Sequence, residues 1–66
     1  MYLKNYSVIN TSHGNLVALG DIYDDEKGRF VDGAYIRTSS IVEQYEEDGK
    51  KYIKTRNSTY ELRDDI

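Results

Sequence analysis

The chain of 66 residues has no cysteine, no proline and no tryptophan, and only one histidine and one phenylalanine. Without cysteine there is no disulfide framework. One histidine and no thiolate cannot furnish the three or four ligands of an ordinary zinc centre. Aliphatic bulk is short as well: Leu, Ile, Val and Phe supply 15 of 66 residues, a share of roughly 23% that lies just above the level of about 20% where disorder becomes the default. No apolar run approaches the 18 or so residues of a membrane span, and the opening Met-Tyr-Leu-Lys-Asn lacks the apolar segment of a signal peptide, so a cytoplasmic chain without a membrane partner is expected.

What fills the gap is tyrosine, of which there are seven. These rings either complete a core or form a surface, and that choice is the main functional question. A chain this short buries only about 60% of the surface it exposes when unfolded. Small scaffolds offset this with disulfides, a metal or a partner subunit. The first two routes are closed here, so self-association into a homo-oligomer is expected. The net charge of −3 opposes the field of nucleic-acid phosphates. Enrichment in Ile, Lys, Asn and Tyr over Ala, Gly, Pro and Arg is the bias of AT-rich coding and points to a low-GC bacterium or its phage.

Period-2 alternation dominates, and no helical stripe is sustained. Strands are expected over 2–10, 16–23, 29–31, 34–38 (interrupted or bent around Ser39-Ser40), 41–46, 51–56 and 59–63. Strict alternation in the first puts Tyr2, Lys4, Tyr6 and Val8 on one face. Gly20 in the second suggests a bulge or bend. Turns are expected at 11–15, at Asp32-Gly33, around Asp48-Gly49 and at Asn57-Ser58. Residues 39–46 are ambiguous. Ser40 with Glu43 three residues later fits a capping box, but β-branched Ile41 and Val42 favour a strand, which is the reading adopted. Residues 64–66 are expected to fray. The resulting pattern is one all-β domain over 1–66, a small antiparallel barrel or sandwich of five to six strands with SH3-like or OB-like architecture.

No motif for catalysis appears, and an enzyme is not expected. His13 lies in a turn between Ser12 and Gly14, far in sequence from any acidic residue. Asp21, Asp24, Asp25 and Glu26 lack the spacing of a calcium loop and read as a solvated connection, so neither a metal nor a cofactor is expected. Three binding chemistries remain. Tyr35, Tyr45 and Tyr52 alternate against Ile36, Ile41/Val42 and Ile53, which can form the core without them, and are candidates for contact with a partner protein. Tyr23 and Tyr60 are assigned to the core, with Tyr2 and Tyr6 left open. Arg29, Arg37, Thr38 and Ser39 combine fork-shaped donors with hydroxyls around one tight turn and suit a small anionic, phosphate-bearing ligand such as a nucleotide signal; the bland alternative has Phe30 and Ile36 in the core. Third, Arg37, Lys51, Lys54 and Arg56 with Tyr35 and Tyr52 form a stacking and basic set suited to single-stranded nucleic acid.

The segments Arg-Phe-x-Asp-Gly (29–33), Ile-x-Thr-Ser-x-Ile (36–41) and Thr-x-Asn-Ser-x-Tyr-x-Leu (55–62) resemble small uncharacterised β-rich proteins of bacterial phages and prophages. The resemblance covers residues 29–62 and carries no functional residue with it. It implies an accessory factor that binds host components, the class that includes inhibitors of host defence. The leading expectation is therefore a non-enzymatic binding protein that inhibits a host protein.

Overall fold

In the computed structural model, which describes residues 1–63, the chain forms six strands and no helix: β1 (Tyr2–Asn10), β2 (Leu16–Tyr23), β3 (Ala34–Arg37), β4 (Ile41–Glu47), β5 (Lys50–Thr55) and β6 (Thr59–Leu62). The tail at 64–66 lies outside the described residues. The strands make one sheet in the order β3-β2-β1-β6-β5-β4. Two antiparallel meanders, β1–β2–β3 and β4–β5–β6, are joined by a parallel pairing of β1 with β6, with Tyr2 opposite Glu61 and Leu3 opposite Leu62. The sheet is thus mixed where an antiparallel one was expected, and it is open where a closed barrel or a sandwich was expected.

Its curvature follows from chain length. Laid flat, the outer strands of six would stand about 24 Å apart. The four peptide steps from Arg37 to Ile41 reach at most about 14 Å, yet they connect one edge strand to the other. The sheet coils so that β4 approaches β2. Closure stops there: β3 and β4 do not pair, and the Ser40 carbonyl accepts the Arg56 N–H (3.2 Å), prolonging the contact of β4 with β5.

The concave face holds the core. Leu3, Ile22 and Ile53 are fully buried, with Ala18, Ile36 and Tyr60 beside them and Met1, Tyr6, Ala34, Ile41 and Leu62 packed at the margin. Two threonines are buried where ladder bonds run out. Thr38 Oγ1 accepts the Ala18 N–H (3.0 Å) and donates to the Ser39 carbonyl (2.9 Å). Thr55 Oγ1 accepts the N–H groups of Asn57 and Ser58 and donates to the Ser58 carbonyl, holding the β5–β6 turn.

Besides the register shift on β4, where Ile41 faces Thr55 but Glu43 faces Lys54, three local features shape the sheet. On β1, Lys4 faces Asp21 but Ser7 faces Leu19, so Asn5 and Tyr6 together oppose Gly20. This is a β-bulge with Asn5 at φ 51. It turns Tyr6 and Val8 away from the face of Tyr2 and Lys4, and Tyr6 joins the core margin. At the β4–β5 hairpin, Asp48 and Gly49 both have positive φ (51 and 76) in a two-residue loop closed by Glu47 and Lys50, the pattern of a type I′ turn. Residues 41–47 are a strand, as read from Ile41 and Val42.

The third feature is the loop at 24–33. No strand forms over 29–31, where the backbone donors of Arg29 and Phe30 are already committed. The Asp25 carboxylate accepts N–H bonds from Lys27, Arg29 and Phe30 (3.2, 2.8 and 3.1 Å) and forms an ion pair with Arg29 (3.2 Å). Asp32 closes the loop by accepting the Asp24 N–H (2.9 Å). Lys27 Nζ ties it to the Asn57 carbonyl (2.7 Å) and Ser58 Oγ (3.1 Å). Phe30, a core candidate, is consequently exposed under its contact with the Arg29 guanidinium.

Candidate functional site

The convex face of the sheet carries one row of side chains across five adjacent strands. Tyr45 on β4 faces Tyr52 on β5, Tyr52 faces Glu61 on β6, Glu61 faces Tyr2 on β1, and Tyr2 faces Tyr23 on β2. Residues directly opposite share a face, so four tyrosines and a glutamate form a band about 19 Å wide at the usual strand spacing. The rings pair: Tyr45 with Tyr52 (centroids 5.3 Å apart, 18° between planes) and Tyr2 with Tyr23 (5.3 Å, 13°).

Charged groups surround the second pair. The Arg63 guanidinium lies 3.7 Å from the Tyr2 ring centroid and bonds Glu61 through Nε to Oε2 and Nη2 to Oε1, both 3.2 Å, a two-pronged contact that fixes its plane. Lys4 Nζ stands 5.3 Å from the Tyr23 centroid and 5.9 Å from that of Tyr2. At the β4–β5 hairpin a shallow depression of about 310 Å³ opens mainly on the opposite face of the sheet, lined by Gln44, Glu46, Lys51 and Leu62 of that face together with Tyr45 and Tyr52.

Two of the three predicted contact tyrosines, Tyr45 and Tyr52, thus belong to the row. Tyr35 lies apart on β3 opposite Asp21 and is 67% exposed. Tyr60 is buried as expected. Tyr23 is not in the core, because it shares its face of β2 with Asp21 and stacks on Tyr2. That alternation with a charge, like the alternation of Tyr2 with Lys4, is the signal in the sequence that marks both as surface residues. Glu61 and Arg63 had no such marker, since their place beside Tyr2 depends on the parallel β1/β6 pairing.

The residues read as an anion site do not gather at one place. Arg29 is bound to Asp25, reaches Met1 Sδ (3.8 Å) and has the Tyr60 hydroxyl as a further partner. Arg37 is exposed opposite Leu19, four residues along β2 from the Tyr23 end, or about 13 Å. The Thr38 hydroxyl is spent inside the fold, while Ser39 Oγ is buried without a hydrogen-bond partner. The basic set is divided too. Lys54 shares the face of Tyr52, whereas Lys51 lies on the opposite one, and Lys50, Lys51 and Lys54 each face a glutamate of β4 (Glu47, Glu46 and Glu43).

Asp25 has the strongest electrostatic signature. Withdrawal from water pushes its carboxyl up, but the Arg29 side chain and the backbone donors of Arg29, Lys27 and Phe30 outweigh this and lower the pKa from 3.8 to about 2. These partners are all internal, so the group serves the loop. His13 sits exposed in the β1–β2 turn, its N–H on Thr11 Oγ1 (3.3 Å). Among the described residues, no three His, Asp or Glu side chains converge as a metal site, and no helix is long and apolar enough to cross a membrane.

No protein-family model, curated protein or solved structure matches the chain.

Proposed function

We propose that this chain is a non-enzymatic binding protein that engages a partner protein through the convex face of its sheet, and that it acts as a phage or mobile-element accessory factor inhibiting a host protein. The observation that carries the reading is the row Tyr45–Tyr52–Glu61–Tyr2–Tyr23 across five strands. Tyrosine brings large contact area with little side-chain entropy to lose and a hydroxyl to hydrogen-bond, and with arginine it is concentrated where interfaces draw their energy. A rigid sheet presents these rings already paired, which lowers the ordering penalty of association. The inhibitory role rests on the resemblance of residues 29–62 to phage proteins. The net charge of −3 suits a chain that presents carboxylates where the phosphates of a host enzyme's nucleic acid would lie.

The Tyr45→Ala/Tyr52→Ala variant tests the surface. Both rings lie outside the core cluster, so circular dichroism and the thermal transition are expected to remain those of a folded chain. Affinity capture from bacterial lysate is expected to retain a specific protein with the wild type and to lose it with the variant. Equal capture by the two chains contradicts the assignment.

A further inference from the structure

Strand β3 ends the sheet with an edge that no other strand covers: among the strands it touches β2 alone. Antiparallel alternation decides which backbone groups stay free there. The Thr38 N–H donates to the Ala18 carbonyl (2.9 Å) and Ile36 lies opposite Gly20, so residues 36 and 38 turn their backbone groups toward β2. Those of Tyr35 and Arg37 therefore point out of the sheet. Both side chains are exposed on the convex face, and the loop leading into the strand exposes Val31 at 78% and Phe30 at 41%.

We propose that this edge pairs with the same edge of a second copy of the chain, antiparallel about a twofold axis, with Ile36 opposite Ile36. In that register Tyr35 meets Arg37 of the second copy and Arg37 meets its Tyr35. All the outward backbone groups of both residues are then paired, and each guanidinium lies beside a ring across the joint. The other open edge does not suit a second copy. Along β4, Glu43, Glu46 and Glu47 would bring carboxylates of two copies together, the usual device that keeps an edge single, whereas β3 has no acidic residue. A twofold joint also closes on itself as a dimer, where β3-to-β4 pairing would continue into rings or fibres. The pairing is independent of what the tyrosine row binds, and it would place two such rows on one continuous surface.

The four-residue strand makes a small joint, so the mass in solution is best measured up to about 1 mM chain, the range of weak interfaces. The wild type is expected to approach twice the 7.7 kDa chain mass. Tyr35→Lys sets like charges opposite each other twice and is expected to raise the dissociation constant about tenfold or more. Tyr35→Lys/Arg37→Glu, with opposite charges restored across the joint, is expected to recover association, and Glu46→Lys on β4 to leave it unchanged. Dilution of the wild type followed by amide NMR reads the same joint without substitution: the N–H signals of Tyr35 and Arg37 shift with concentration, and those of Gln44 and Glu46 do not. A wild type that stays monomeric at about 1 mM, a dimer that survives Tyr35→Lys in a folded chain, or concentration-dependent shifts confined to β4 overturns the proposal.

Discussion

A Cβ at position 20 would meet the Lys4 carbonyl oxygen and the Cα and Cβ of Tyr6, each at 3.1 Å. Glycine is needed there because the β1 bulge lays two residues over one. Gly20→Ala is expected to destabilise the fold by about 1–3 kcal/mol, the usual range for overpacking, as a fall in the urea midpoint. The glycine announced an irregularity in the sequence, but not that the extra residue would sit on the facing strand. Asn5 supplied no separate sign, although its side chain secures the bulge by donating to Asp21 Oδ2 (3.2 Å). Asp25 sets the acid limit of its loop. Its folded pKa of about 2 lies below the ordinary 3.8, so the carboxylate's contribution is fully present above about pH 4 and is lost as the pH falls toward 2. Asp25→Asn is expected to lower the urea midpoint at pH 7 and to weaken the fall in midpoint between pH 4 and pH 2. A variant whose acid profile overlays that of the wild type contradicts this role.

At the scale of elements, hairpins were legible and long-range pairings were not. Alternation and Asp-Gly located β4, β5 and their turn, because a two-residue loop fixes register by itself. Gly49 occupies positive φ in open space, so Gly49→Ala is expected to destabilise by conformational strain alone, about 1 kcal/mol, seen as a lower thermal midpoint. The parallel β1/β6 pairing left no mark, since the two strands are separated by most of the chain and share only two residue pairs. With it went the centre of the tyrosine row: Tyr45 and Tyr52 were readable as a surface pair, while their continuity with Tyr2 and Tyr23 required the pairing through Glu61. The loop at 24–33 misled in the opposite way. Arg-Phe-Val has strand composition, but one carboxylate four residues earlier captured the donors a ladder needs.

For the molecule as a whole, the shortage of aliphatic residues is met by using both faces of one coiled sheet differently. The concave face gathers a small core around Leu3, Ile22 and Ile53 with Tyr60 as its aromatic member. The convex face carries stacked tyrosines between charged groups. Most of the tyrosine that seemed needed for the core is thereby left to a surface. The measurement that tests this division most directly is photo-crosslinking in bacterial lysate from a photoreactive phenylalanine analogue at position 45, with position 13 in the β1–β2 turn as the control. A discrete protein adduct is expected from position 45 and none from position 13. No adduct from position 45, or the same adduct from both positions, would contradict a contact surface on the tyrosine row.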